Sequence, residues 1–144
     1  MIDSKTAPYA AFLLRVSLGA LFLAHGLVLK VMTFTVPGTV GYFQSIGYPA
    51  AFAYIVIAAE ILGGVALILG VWTRAIALLF LPIMIGATLQ HVGNGWVFNA
   101  KGGGWEFPVF WTMTLLVQAL LGSGAYALKV TGLSSGAGQL RTAS

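Results

Sequence analysis

The sequence predicts an all-α membrane protein: a four-transmembrane-helix bundle with up-down-up-down topology and both termini in the cytoplasm. Only seven Lys or Arg and three Asp or Glu occur in 144 residues, which is 7% charged, against about 25% in an average soluble domain. The mean hydropathy is +0.96. So few charges cannot cover a soluble domain of this size, and disorder requires low hydrophobicity. The composition therefore excludes both classes and favours an integral membrane protein.

Four apolar runs are each close to the roughly 20 residues that cross a bilayer. The first run has charged residues near both ends, Arg15 and Lys30. Its uncharged part rises only about 21 Å, so both side chains are expected to snorkel to opposite surfaces and complete the span. The predicted helices are 9–32, 50–71, 74–92 and 107–128.

The segments between these runs have the composition of turns and loops. Only 71–73 separates the second and third helices, which predicts a tight antiparallel pair, while 33–49 and 93–106 are rich in Gly and aromatic residues. The predictions are a single membrane domain over 1–130 and a mobile polar tail over 131–144. The first run lacks a convincing small-residue cleavage site, so we expect a retained helix and not a signal peptide.

The distribution of Lys and Arg predicts the orientation. Five lie on the side that would hold both termini and two on the other: Lys5, Arg15, Arg74, Lys129 and Arg141 against Lys30 and Lys101. This excess favours cytoplasmic termini in a multi-pass protein of the bacterial inner membrane.

The predicted partner is the lipid bilayer, as the composition indicates. The cations form no cluster, which argues against a nucleic acid partner. A homo-oligomer remains open. The absence of Cys excludes disulfide and thiolate chemistry.

Titratable residues converge in the outer half of the predicted bundle. The helical rise places His25 about 15 Å outward from Arg15. The same rise places Glu60 about 21 Å, and His91 about 25 Å, outward from Arg74. Charged groups inside a membrane are costly and indicate function. The outer cluster therefore comprises His25, Lys30, Glu60, His91 and Glu106.

One polar or small face is predicted on each helix, with the remainder facing lipid. These faces are Arg15, Gly19, Phe22, Gly26, Lys30 and Thr33 on the first; Ala53, Glu60, Gly64 and Leu67 on the second; Met84, Ala87, Thr88 and His91 on the third; and Glu106, Phe110, Thr114, Val117 and Gln118 on the fourth.

Glu60 and His25 are the predicted catalytic residues, because a carboxylate near mid-bilayer must be neutral or paired and lipid packing does not call for a histidine. The predicted binding residues are Lys30, His91, Glu106, Arg15 and Arg74. Each also has a structural alternative. The two arginines would only snorkel, and Lys30 would be an outer anchor. His91 would be a satisfied interfacial histidine, Glu106 would favour a helix N-terminus, and Glu60 would form an ion pair with a cation of the first helix.

No metal site is predicted, because HxxH, HxxxH and ExxH spacings do not occur. Haem held by His25 and His91 is disfavoured because their predicted depths differ by roughly 10 Å. The Gly triplet at 102–104 follows no strand and lacks a nucleotide-binding context. The cofactor is therefore left open by the residues themselves.

Several motifs resemble the DoxX/DoxD-like family of small four-helix membrane proteins, and they are spread over residues 15–126. They are RVSLGALFLAHG at 15–26, then Lys30, Phe43 with IGYP at 46–49, AEILGG at 59–64, LGVWTR at 69–74, His91, EFP at 106–108 and GSGAY at 122–126. The family is named for a membrane subunit of a thiosulfate:quinone oxidoreductase. The resemblance implies a quinone-linked redox subunit or accessory component with a partner redox protein. The alternatives are a non-catalytic scaffold or assembly partner, and a small transporter.

Overall fold

A computed structural model describes residues 3–128; Lys129, Arg141 and the predicted tail over 131–144 lie outside the described residues. Within that range the protein is helical and contains no strand. The helices are α1 (Ala7–Leu23), which continues as a π-helix (Ala24–Thr33), α2 (Val36–Ser45), α3 (Ala50–Leu69), α4 (Thr73–His91), which ends in a 3₁₀ turn (Val92–Asn94), and α5 (Glu106–Leu121).

Three of the predicted membrane helices are confirmed as long and apolar enough to cross a bilayer: Ala7–Thr33, Ala50–Leu69 and Thr73–Asn94. The fourth, α5, is apolar but has 16 residues, so it rises about 24 Å against a hydrocarbon core of about 30 Å. Its predicted end at residue 128 was wrong. Gly122 has φ +82°, a conformation that glycine favours and that terminates the helix.

The segment 33–49, predicted as a loop, contains helix α2. Thr35 Oγ1 accepts a hydrogen bond from the backbone N–H of Gly38 at 3.3 Å, which caps the helix N-terminus. Pro37 lies in the first turn, where its missing N–H costs no helical hydrogen bond. The loop prediction was wrong because Gly and Pro are typical of loops, but the first turn of a helix also accepts Pro.

The end of the first span is wound as a π-helix of 10 residues. The backbone N–H of Phe34 donates to the carbonyl of Leu29 at 2.8 Å, and Thr39 of α2 donates through its hydroxyl to the carbonyl of Lys30 at 2.8 Å. π-helical turns are rare and often occur at functional sites. This segment carries His25 and Lys30, so the altered winding decides where both side chains point.

Close packing of α1 on α3 depends on glycine. A Cβ atom added to Gly19 would lie 2.7 Å from the carbonyl oxygen of Gly64, and one added to Gly64 would lie 2.9 Å from the carbonyl oxygen of Gly19. The two backbones therefore touch, as small residues permit between membrane helices.

An aromatic stack forms the centre of the core. The rings of Phe22 and Phe80 lie 3.7 Å apart at their centroids, and the ring of Trp111 lies 4.6 Å from that of Phe22. Leu18, Leu67 and Leu115 are also buried in this cluster. Residues of α1, α3, α4 and α5 therefore share one core.

The faces predicted for the first two spans are largely confirmed, since Arg15, Gly19, Phe22 and Gly26 are buried, as are Ala53, Glu60, Gly64 and Leu67. On α4, Met84 is buried and the others are partly buried. The face predicted for α5 is confirmed only in part, because Gln118 is buried while Phe110 and Val117 are exposed. The other buried residues of α5 are Pro108, Trp111 and Leu115. The large ring of Trp111 fills the core. A face defined by polar and small residues does not include a buried aromatic side chain.

Candidate functional site

A cavity of about 300 Å³ opens at the end of the molecule away from the turn between α3 and α4. Its walls come from the π-helix, α2 and the chain after it, α3, α4 and the start of α5. Aromatic side chains form much of the wall: Tyr42, Phe43, Tyr48, Phe52 and Phe107. Five other side chains in the lining can form hydrogen bonds: His25, Lys30, Glu60, Gln90 and His91. The structure therefore brings together four of the five residues of the predicted outer cluster.

An ion pair joins Lys30 of the π-helix to Glu60 of α3. The ammonium donates to both carboxylate oxygens, at 2.9 Å and 2.7 Å, and the side chains are 19% and 6% exposed. A Cβ atom added to Gly26 would lie 2.8 Å from Cβ of Glu60, so glycine at that position lets the π-helix approach the carboxylate. The alternative in which Glu60 pairs with a first-helix cation is confirmed, and one face of the pair lines the cavity.

His25 is oriented by its own helix. Its Nδ1 lies 2.9 Å from the carbonyl oxygen of Leu21, and a carbonyl can only accept, so Nδ1 carries the proton. The ring also makes an edge-to-face contact with the ring of Trp111, with centroids 4.9 Å apart. In a neutral imidazole the Nε2 atom is then unprotonated and is a hydrogen-bond acceptor.

His91, at the end of α4, is oriented by the following loop. Its Nδ1 lies 3.1 Å from the carbonyl oxygen of Gly102 and 3.0 Å from that of Gly103. The side-chain amide of Asn94 donates to the same two oxygens, each at 3.0 Å. Gly102 and Gly103 have φ values of +86° and +81°, which glycine adopts without strain. Because carbonyl oxygens can only accept, Nδ1 of His91 carries the proton, as it does in His25.

Asn94 and Gln90 are polar residues near the site that the sequence did not single out. Asn94 was visible only as part of an Asn-Gly turn signal, and Gln90 as one polar residue near a helix end. The signal that could have found Asn94 is its position three residues after a candidate histidine, next to a glycine-rich loop.

Glu106 lies outside the cavity. Its Oε1 accepts a hydrogen bond from the backbone N–H of Phe98 at 2.7 Å, so it fastens the loop to the start of α5. It lines a separate, open aromatic pocket with Trp96, Phe98 and Phe110. Glu106 therefore has a structural contact at the first residue of α5. This agrees in position with the alternative in which it favours a helix N-terminus.

Arg15 and Arg74 lie at the opposite end and do not line the cavity. The snorkelling predicted for Arg15 was wrong, because its side chain is fully buried. Its guanidinium donates to three backbone carbonyls: those of Leu67 at 3.1 Å, Ile68 at 3.0 Å and Ala125 at 3.0 Å. Arg74 is exposed and reaches the carbonyl of Leu120 at 3.5 Å.

The lining of the cavity suits a mostly apolar small molecule that carries a few polar atoms. Aromatic walls and a few fixed polar groups are typical of small-molecule sites. The paired Lys30 and Glu60 add no net charge. Within residues 3–128, no group of three or more His, Asp or Glu side chains is arranged to hold a metal ion.

Comparison with known proteins agrees with the membrane-helix architecture. The family model described as DoxX matches residues 10–93. A protein of Bacillus subtilis (strain 168) named "Putative oxidoreductase CatD" is 35% identical over 126 residues, which cover 87% of this chain and 88% of that protein. An "Uncharacterized protein" of Haemophilus influenzae (strain ATCC 51907 / DSM 11121 / KW20 / Rd) is 32% identical over 126 residues, covering 86% and 91%. No solved structure matches the chain.

Proposed function

The chain belongs to the DoxX family, and from this premise we propose that it binds a quinone headgroup in the cavity as the membrane subunit, or an accessory component, of a quinone-linked oxidoreductase. The observation that carries the proposal is the Lys30–Glu60 pair at the wall of an aromatic cavity that also contains His25 and His91. Quinone chemistry couples electron transfer to proton transfer, and it requires titratable groups beside an apolar slot. The relative named as an oxidoreductase supports the redox class.

Each polar group has a defined task in this proposal. Reduction of a quinone to a quinol takes up two electrons and two protons. His25 at Nε2 and the Glu60 carboxylate each take up a proton from water and pass it to a ring oxygen, while Lys30 keeps the Glu60 carboxylate in place. The chain has no Cys and so no thiol–disulfide pair, and the electrons come from a reduced substrate handled by a partner redox protein.

The proposed setting is the bacterial inner membrane, with four helices running up-down-up-down and both termini in the cytoplasm. Backbone hydrogen bonds from Ala125 to Pro8 and from Leu128 to Leu69 support this topology. They join the chain after α5 to the start of α1 and the end of α3. Arg15 and Lys30 are engaged inside the protein. Removing one from each side changes the Lys and Arg count from five against two to four against one, which favours the same orientation.

Ligand binding tests the proposal. Purified protein in lipid nanodiscs is titrated calorimetrically with the quinol form of a short-chain benzoquinone analogue, kept reduced under anaerobic conditions. We expect saturable binding, weakened about tenfold or more by Glu60→Gln and by His25→Ala, because each variant removes a hydrogen-bond acceptor for a ligand hydroxyl from a buried site. Asp3→Asn is the matched control: it neutralises an exposed carboxylate outside the cavity. Absence of saturable binding to the unaltered protein would overturn the proposal.

A scaffold is the second candidate function, and the ion pair itself favours it. Lys30 and Glu60 fasten the π-helix to α3, as a purely structural pair would. The exchange Lys30→Glu with Glu60→Lys separates the two functions. A scaffold would recover its assembly when the pair is restored in reverse, whereas a quinone site would remain impaired because its proton-carrying group has moved.

A further inference from the structure

Building on the proposed function, we infer that the cavity selects the reduced, hydroxyl-bearing form of its aromatic ligand. The Nε2 atoms of His25 and His91 accept hydrogen bonds from ligand O–H groups. The observation behind this inference is that both imidazoles in one cavity are held in the same tautomer by backbone carbonyls.

Backbone geometry fixes the tautomer of His25. The carbonyl of Leu21 lies one helical turn before the histidine and accepts from Nδ1 at 2.9 Å. The opposite tautomer would place a nitrogen lone pair against that oxygen lone pair and lose the bond. Nε2 is thus the ring nitrogen available to a ligand, and in the neutral ring it accepts.

The loop after α4 does the same for His91, with an added support. Two carbonyl oxygens, those of Gly102 and Gly103, converge on Nδ1. Asn94 donates to both oxygens, so it holds the pair of acceptors in place. Asn94 is therefore a positioning residue that acts on the ligand through His91.

The other polar groups of the lining do not reverse this bias. The Glu60 carboxylate adds two more acceptor oxygens, and two of the three N–H groups of Lys30 are directed at them. Gln90 offers both a donor and an acceptor, and the hydroxyls of Tyr42 and Tyr48 can act in either way. The fixed imidazole and carboxylate groups therefore present mainly acceptors.

A quinol and its quinone differ in how they meet such a site. The quinol donates through two hydroxyls, whereas the quinone has only acceptor oxygens and would leave the Nε2 atoms unpaired. Two hydrogen bonds gained or lost change affinity by about fivefold to more than a hundredfold. We expect the quinol to bind about tenfold or more tightly than the quinone of the same ring.

Three ring-matched ligands test the inference: a quinol, its quinone and the dimethyl ether of the quinol. Each is titrated anaerobically into the full chain in nanodiscs. A chemical reductant is present in the quinol and ether titrations only. The expected order of affinity is quinol first, with quinone and ether both weaker.

Variants locate the selectivity. His25→Ala and His91→Ala are each expected to reduce the quinol-to-quinone affinity ratio. Gln44→Ala, at an exposed position of α2 outside the cavity lining, leaves the ratio unchanged. Asn94→Ala is expected to reduce the ratio in the same direction as His91→Ala. Equal effects of His25→Ala on quinol and quinone would count against the inference.

A spectroscopic measurement on the unaltered chain covers the case in which a histidine variant fails to fold. Long-range ¹H–¹⁵N correlation spectra of the imidazoles are expected to show protonated Nδ1 and unprotonated Nε2 for both histidines. The opposite tautomer would overturn the inference. Quinone binding as tight as quinol would overturn it too and leave the proposed function standing, whereas no binding by any of the three ligands would overturn both.

Discussion

Lys30 donates to both carboxylate oxygens of Glu60, across the contact between the π-helix and α3. Because the two side chains are 19% and 6% exposed, the pair is neither a surface salt bridge nor fully closed off from the cavity. It joins two helices and, at the same time, presents a carboxylate and an ammonium group to a ligand. The fold and the proposed site therefore depend on the same two residues.

Breaking this pair is expected to destabilise the protein more than removing it whole. Glu60→Met or Lys30→Met alone leaves a buried charge without its partner, which costs about 3 kcal/mol or more. The double variant is expected to recover at least half of that loss. Denaturation in mixed detergent micelles measures the free energy of unfolding of each variant. Lys101→Met, which removes an exposed cation in a loop, is the control. A double variant no more stable than the weaker single variant would contradict the expectation.

Arg15 is expected to stabilise the end opposite the cavity. Arg15→Met leaves three carbonyls without their donor, and a buried unpaired polar group costs about 1–3 kcal/mol. Arg15→Lys is expected to recover only part of the loss, because an ammonium lacks the planar fork of a guanidinium. Lys5→Met, which removes an exposed cation near the start of α1, serves as the control. If Arg15→Met were as stable as Lys5→Met, Arg15 would have no such role.

At Gly19 and Gly64, the contact between α1 and α3 is expected to have no room for a side chain. Gly19→Ala and Gly64→Ala each place a methyl group within 3 Å of the opposite backbone, so the helices must separate, at about 1–3 kcal/mol. Gly41→Ala is a matched control inside α2, because its added Cβ meets nothing within 4 Å and alanine favours a helix. Unfolding in the same detergent compares the three. Equal stability of all three variants would show that the contact is looser than described.

The proposed orientation can be measured because the chain has no Cys of its own. Ser4→Cys and Val97→Cys introduce single thiols at exposed positions without changing any charge. A membrane-impermeant maleimide is expected to label Val97→Cys in intact bacterial cells, and Ser4→Cys only after the membrane is permeabilised. The reverse pattern would mean that the cavity opens toward the cytoplasm.

Much of the site could be predicted from the sequence, because the rise of a helix is fixed. Counting residues outward from Arg15 and Arg74 placed His25, Glu60 and His91 toward one end, and the structure brings them into one cavity. The same rise predicted four helices long enough to cross a bilayer, and three of them are confirmed.

The parts that could not be predicted depend on hydrogen bonds that hydropathy does not encode. The π-helix arises from a backbone register, such as Phe34 to Leu29. Glu106 was placed in the cluster by its depth, yet its partner is the backbone N–H of Phe98 in a loop. Arg15 was assigned to the membrane surface because its three carbonyl partners lie 52, 53 and 110 residues away along the chain.

The position of a bound quinone tests the account most directly. Crystals of the unaltered protein grown in a lipid mesophase with a ring-brominated quinone analogue would reveal the bromine by its anomalous scattering. We predict a bromine peak inside the cavity, between the Lys30–Glu60 pair and His91. A peak confined to the aromatic pocket beside Glu106 or to the lipid-facing surface, with none in the cavity, would contradict the account.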